Sequence, residues 1–490
     1  MREILGPLLV HGALLAAGLG VLRALGVISN LRSRRALAAV GLAYLVGVAA
    51  TLGICVIVLV LGGPFTLVVF GVIAAVLAAP LAQDLRGSVR RPRGPRSLAL
   101  PVSRLWSGRD AARWAVIATL AAFAVLAVVG LVSVSNLPIG LGDVDTWNQW
   151  TRKALLLFEG SHLPTAIFSF SGDVQYQAHY NINASYPLLL SLLEALDLRA
   201  LGRADPQSIH LVLWLLGIGF VWAGGFIASR VTSAIVWAPV LTGAVVLAAT
   251  RLLSGYADVP LGLYLGLGAL QAGVWLESGQ RRDLAVAALL LAGAASIKNE
   301  GTPGALLVLV FALVAALVAG RRRAARDLAV AAALLVIVAV LPWRLWVATH
   351  HVQTQEPLSR IVNPAYLVDN IGRVGPTVHA FSMQLGMTNQ VTVFVSLALA
   401  MIAACLWERR RRMLAVFYLA ALGGYFVALV WSEWIDTITP FAPLLHVTAS
   451  RLVLPLAFIA VAAVLHLSGV YAPRGADPSP PAVGAGRRSA

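Results

Sequence analysis

The stretch Gly142-Asp143-Val144-Asp145-Thr146-Trp147-Asn148-Gln149-Trp150-Thr151-Arg152-Lys153 gathers two carboxylates, two indoles and an Arg/Lys pair in a chain that is otherwise strongly apolar. It opens a polar segment that continues to about Pro187 through Asp173, Gln175, Tyr176, His179, Asn181 and Asn183. Further along, isolated ionisable residues stand at the ends of apolar runs. They are Asp258 between Tyr256 and Pro260, Lys298 and Glu300 in Lys298-Asn299-Glu300-Gly301, Arg344, and Arg451 shortly after His446. Such residues are costly to keep where the apolar run lies in lipid, so each is a site candidate. Two chemistries suit the set. In one, Asp143 or Asp145 takes a proton from an acceptor hydroxyl, help worth about 10²–10⁴ in rate, while Lys and Arg hold a phosphate leaving group. In the other, Asp143, Asp145, Asp258 and Glu300 offer hard oxygen ligands to Mg²⁺ or Mn²⁺. Spacing does not choose between them, because Asp-x-Asp arises often by chance.

Each residue also has a structural use. Asp143, Asp145 and Asp258 can cap helix starts, and Lys298 and Arg451 can snorkel to headgroups. Glu300, beside Gly301 and Pro303, suits a turn. Trp147, Trp150, Trp343 and Trp346 fit an interfacial aromatic belt, although Trp147 and Trp150 also suit stacking on a sugar. His350 and His351 read as solvated loop residues.

The elements that must position these groups follow from composition. The 490 residues are 59% hydrophobic and 12% charged, with mean hydropathy +0.84. Soluble domains sit near 45–50% apolar and about 25% charged, so the class is all-α polytopic membrane protein. The net charge of +16 is no argument for nucleic acid, because the arginines fall in short runs between apolar spans, as the positive-inside rule expects. Cys55 and Cys405 both lie inside apolar runs and read as small buried hydrophobes.

With about 20 apolar residues per crossing, the chain offers about thirteen spans. They are expected near 5–28, 37–61, 64–83, 114–136, 207–228, 232–250, 259–276, 284–297, 303–319, 328–348, 390–407, 413–431 and 452–471. The Tyr186–Leu198 stretch is too short to cross and reads as an interfacial or re-entrant helix at the outer surface. Residues 1–83 form a three-helix extension, 84–112 a basic cytoplasmic loop, 113–471 the core with an extracytoplasmic loop at 137–187, and 472–490 a disordered tail. This topology sorts every Arg cluster to the inside. Asp143, Asp145, Asp258, Lys298, Glu300 and Arg451 fall outside.

These pieces resemble the GT-C superfamily of integral-membrane glycosyltransferases, which use polyprenyl-phosphate sugars and carry an essential acid in a large first external loop. The likeness, closest to an uncharacterised bacterial branch, covers about 140–452. It rests on Val144–Trp150 with Lys153-Ala154, Tyr186-Pro187-Leu188-Leu189, Gly255–Leu261, Lys298-Asn299-Glu300-Gly301 and a looser His446–Arg451. It implies an inverting transferase with Asp145, seconded by Asp143, as catalytic base. Asp258, Lys298, Glu300 and Arg451 would form the donor-phosphate and sugar pocket, with Trp147, Lys153, Tyr256 and His446 beside them. It implies a lipid-linked sugar donor, a glycan, lipid or protein acceptor, and either no cofactor or a divalent cation. The chain departs from the pattern where Ala184-Ser185 stands in place of an acid or His before Tyr186-Pro187.

The expected function is sugar transfer at the extracytoplasmic face of a bacterial plasma membrane, the bacterial origin resting on Ala/Arg/Gly-heavy composition alone. The rival is a transporter or lipid-linked-sugar flippase using the same ionisable residues as a relay, which asks for carboxylates near the bilayer midplane. A membrane scaffold is a third, non-catalytic reading.

Overall fold

A computed structural model describes residues 2–31, 33–82, 117, 121, 125, 150–163, 184–205, 208–352, 360, 363–387, 389–409, 411–435 and 441–469. Every regular element among them is helical. The N-terminal group comprises α1 (Arg2–Ala24), α2 (Arg34–Ala38), α3 (Val40–Val60) and α4 (Leu67–Ala78). Two short helices follow, α5 (Arg152–Glu159) and α6 (Leu189–Leu201). The central group is α7 (Ser208–Ala228), α8 (Ala234–Leu253), α9 (Asp258–Ser278), α10 (Arg281–Ala295) and α11 (Gly301–Val318). Helix α12 (Arg322–Leu335) passes through a π turn (Val336–Val340) into α13 (Leu341–Thr349), just where Pro342 has no N–H to continue the α ladder. The chain ends in α14 (Pro364–Asp369), α15 (Val374–Met387), α16 (Asn389–Leu406), α17 (Arg412–Ile435), α18 (Phe441–Leu452) and α19 (Leu454–Ser468).

Seven stretches are long and apolar enough to cross a membrane: Leu5–Ala24, Val40–Val60, Asp258–Ser278, Gly301–Val318, Arg322–Thr349, Arg412–Ile435 and Thr448–Ser468. An eighth is added if Ile371–Gly386 and Val391–Leu406, bent by 91°, form one broken span. The chain is therefore a helical membrane-spanning protein in composition and length, but the expectation of about thirteen crossings is only partly met. Leu67–Leu81 is apolar but shorter, whereas α7 and α8 run for 21 and 20 residues, with apolar stretches at Val212–Ala228 and Ala234–Val246. Helix α10 has 15 residues, about 22 Å at 1.5 Å per residue, against a hydrocarbon core near 30 Å. The expected span 114–136, apart from residues 117, 121 and 125, the basic loop 84–112 and the tail 472–490 lie outside the described residues, as does most of the loop 137–187. The loop expected between 350 and 389 contains α14 and α15.

Helix α9 is the axis of the fold. It is buried along its whole apolar length and packs on α7, α10, α11 and α19. Small residues permit this, since a Cβ at Gly266 would strike the Phe458 backbone and one at Gly273 would strike His466 and Tyr418, the close-approach device of membrane helices. Gly279, at φ +63, ends the helix in the left-handed region. Helix α6 does not cross, as expected, but neither does it lie on a surface. Ten of its residues from Leu189 to Leu198 are buried, under cover of α1, α3, α5 and α7. The N-terminal helices thus wrap α6.

Candidate functional site

The site is built where the α9 start meets the turn between α10 and α11. Gly255, at φ +84, turns the chain out of α8 and sets Asp258 at the first residue of α9, where the helix dipole favours a carboxylate. Lys298, 40 positions along, donates to Asp258 Oδ1 at 2.8 Å and meets Glu300 Oε1 at 3.0 Å. All three are buried, at 3%, 7% and 5% exposure for Asp258, Lys298 and Glu300. The turn is closed by Gly301, whose N–H bonds the Lys298 carbonyl at 3.0 Å. Only a hydrogen fits there, because a Cβ would run into the Ala294 carbonyl. Burial works against the Lys298 ammonium, but Asp258 and Glu300 outweigh it and hold its pKa well above the usual lysine value.

One wall of this cluster is aromatic. The Tyr186 ring lies 5.7 Å from Lys298 Nζ and 6.0 Å from Lys153 Nζ, within the range of cation–π attraction. Tyr186 stacks on Trp150 at 5.6 Å and 24°. Lys153, fully buried, donates to the Tyr186 carbonyl at 3.1 Å, and burial lowers its pKa to about 7. Three bonds fix this wall. Trp343 Nε1 donates to the Ser185 carbonyl at 2.8 Å, Ser191 Oγ to the Trp150 carbonyl at 3.0 Å, and the Leu189 N–H to the Ser296 carbonyl at 3.0 Å. The stretch Ala184-Ser185-Tyr186 therefore contributes backbone carbonyls where the resemblance led one to expect an acidic or imidazole side chain.

Several polar groups in the cluster have no hydrogen-bond partner among the described residues. They are both amide atoms of Asn299, Glu300 Oε2 and the Tyr425 hydroxyl. Tyr425 reaches in from α17, its ring against Gly304 of α11. Beside the same turn, two guanidiniums face one ring, with Arg451 at 4.8 Å and Arg251 at 5.7 Å from Tyr256. Arg251 also donates to Ser450 Oγ at 3.4 Å. A small crevice of about 20 Å³ lined by Trp214, Gly217, Val245 and Leu252 opens between α7 and α8. It is apolar.

The structure thus brings Asp258, Lys298, Glu300 and Lys153 into one cluster, and pairs Tyr256 with Arg451 next to it. Asp143, Asp145 and Trp147 lie outside the described residues, as does the His446 side chain on α18. Of the four hard-oxygen donors, Asp143 and Asp145 lie outside the described residues, and Lys298 Nζ bridges the other two, Asp258 and Glu300. No group of three His, Cys, Asp or Glu that could hold a metal ion occurs among the described residues.

The aromatic-belt expectation is overturned for Trp150, Trp343 and Trp346, which are buried inside the protein. Trp343 and Trp346 stack at 5.1 Å, and His350 stacks on Trp346 at 4.5 Å instead of standing free in a loop. Both cysteines are free and buried. Reasoning on sequence missed Asn299, Arg251 and Tyr425 as site residues. Asn299 lay in a motif already marked and Arg251 at a span end, so each had a signal. Tyr425 had none, being one tyrosine in an apolar run. Compared with family models, with curated proteins and with solved structures, the chain matches none.

Proposed function

We propose that the protein is an inverting membrane glycosyltransferase that moves a sugar from a polyprenyl-phosphate donor to an acceptor hydroxyl on a glycan, lipid or protein. The observation that carries this reading is the buried ion cluster with spare hydrogen-bonding capacity. Buried polar groups are nearly always paired, and Asn299, Glu300 Oε2 and Tyr425 offer a polyol both donors and acceptors. The guanidiniums of Arg251 and Arg451 suit a phosphate.

In the proposed step, the Asp145 carboxylate takes the proton of the acceptor hydroxyl as its oxygen bonds the anomeric carbon. The bond from that carbon to the phosphate oxygen breaks, and the lipid phosphate departs with the electron pair, its new charge met by arginine. Fixed cations aimed at developing charge stabilise the transition state without reorganising. The relay reading asks for carboxylates at the bilayer midplane. Asp258 instead opens α9, and Lys298 and Glu300 precede α11, so all three stand at helix ends.

The test is transfer of radiolabelled sugar from polyprenyl-phosphate donors by purified protein. Asp145→Asn is expected to lower the rate by about 10²-fold or more. Unchanged activity removes Asp145 from the mechanism. Absence of transfer with every donor, alongside donor movement between leaflets of a vesicle, favours the flippase.

A further inference from the structure

A second buried ionisable cluster lies away from this site, between α6 and the N-terminal helices. Glu194 and Asp197, three residues apart and so on one face of α6, are both fully buried. Asp197 Oδ2 lies 3.2 Å from His11 Nε2 on α1, and His11 Nδ1 lies 3.0 Å from the Tyr44 hydroxyl on α3. One assignment of hydrogens satisfies this chain: Tyr44 O–H donates to Nδ1, and Nε2–H of a neutral imidazole donates to Asp197. Glu194 has no share in it. Among the described residues neither of its carboxylate oxygens has a hydrogen-bond partner, and Asp197 Oδ1 has none either.

We propose that this cluster is a proton-binding site, in which Glu194 carries its proton through neutral pH beside the Asp197–His11–Tyr44 chain. The charges on every side support it. Two adjacent buried carboxyls cannot both ionise without a cation, and among the described residues no cation other than His11 is paired with either of them. On α6 itself, Arg199 is turned away to the Leu157 and Gly160 carbonyls. On α5, Lys153 is held at the Tyr186 carbonyl, while Arg152 and Glu159 stand elsewhere on the helix. Helix α4 has no titratable residue, α3 adds Cys55, and α1 adds Arg23 in its last turn, the Arg2 and Glu3 side chains lying outside the described residues. The one titratable residue of α7, His210, has its side chain outside the described residues. Burial first, and then the Asp197 charge, holds the Glu194 carboxyl well above the usual carboxylate range.

The proton has two routes of influence. Helix α1 touches α6 backbone to backbone, since a Cβ on Gly6 would strike the Ala200 carbonyl, so repulsion between two ionised carboxyls acts directly on that contact. The other end of α6 carries Leu189 and Ser191, which fix the aromatic wall at Ser296 and Trp150. Loss of the proton therefore loosens the grip of the N-terminal helices on the wall of the Asp258–Lys298–Glu300 cluster. This inference does not depend on the reaction the protein catalyses.

Infrared difference spectra of the full-length protein in nanodiscs, recorded across a pH titration, test it. The wild type is expected to show a protonated-carboxyl C=O band at neutral pH that Glu194→Gln removes. Asp197→Asn, by deleting the neighbouring charge, should shift loss of the band to lower pH. The folded Glu194 pKa is raised, so its stabilisation is complete at acid pH and lost as pH rises through the folded value. Glu194→Gln should flatten that part of the melting curve against pH. A wild type without the band at neutral pH overturns the proposal, as does a band that Glu194→Gln leaves intact. The wild-type titration and Asp197→Asn decide the matter should Glu194→Gln fail to fold.

Discussion

Asp258 and Glu300 share one ammonium, so the cluster carries a formal −1 when all three groups are ionised. Charge balance then ranks the substitutions. Lys298→Met leaves two buried carboxylates with no counter-ion and should destabilise by roughly 3–5 kcal/mol. Glu300→Gln removes the excess charge while keeping the shape, and should cost less than about 1 kcal/mol. Melting temperatures in detergent check the order, and equal losses refute this charge accounting. Lys153 makes a separate prediction. Its folded pKa near 7 lies below the unfolded value of about 10.4, so across that window the unfolded chain holds a proton that the folded one has released. Stability attributable to Lys153 therefore rises from pH 7 toward about 10.4. Lys153→Met should lack the rise, and a melting profile parallel to wild type would contradict it.

At the scale of the helix, glycine decides which elements can touch. A Cβ at Gly47 of α3 would enter the Leu14 carbonyl of α1, and one at Gly301 would enter the Ala294 carbonyl between α10 and α11. Backbone cannot step aside as a side-chain tip can, so Gly47→Leu and Gly301→Val should each destabilise by about 1–3 kcal/mol or more through overpacking. Gly53 and Gly423 have open space around the missing Cβ. Alanine there should be neutral or slightly stabilising by the helix-propensity difference of about 1 kcal/mol. Thermal melts of the four variants test the contrast, and a loss at Gly53→Ala equal to that at Gly301→Val would break it. The same logic explains α6. Its length is too small for a crossing, yet its leucines are apolar on every face, and among the described residues helices α1, α3, α4, α5 and α7 cover them.

For the whole molecule, the test is orientation. The positive-inside rule puts Arg321-Arg322-Arg323 in the cytoplasm and the α14 region on the far side. Arg323 and Val368 are both exposed, and the native cysteines are buried. With Cys55 and Cys405 replaced by alanine, Val368→Cys should react with a membrane-impermeant maleimide on intact cells. Arg323→Cys should react only after the membrane is opened. The reverse pattern inverts the topology and moves the ion cluster to the cytoplasmic face.

Sequence alone determined the helical, membrane-spanning class, because only helices and closed barrels satisfy the backbone in lipid, and continuous apolar runs of about 20 residues suit the helix. It also marked Asp258, Lys298 and Glu300, since isolated charges at the ends of apolar runs stand out. It expected a crossing at 284–297 where apolar composition outran helix length, the helix there having 15 residues. What tertiary structure decided was partnership. In a span that is apolar all round, periodicity does not distinguish the face toward lipid from the face toward protein, so Trp343 and Trp346 looked like belt residues and Tyr425 like filler. Contacts between residues 40 apart, as for Lys298 with Asp258, or 186 apart, as for His11 with Asp197, depend on which glycines let which helices close. That is a property of the packed bundle and of no single stretch within it.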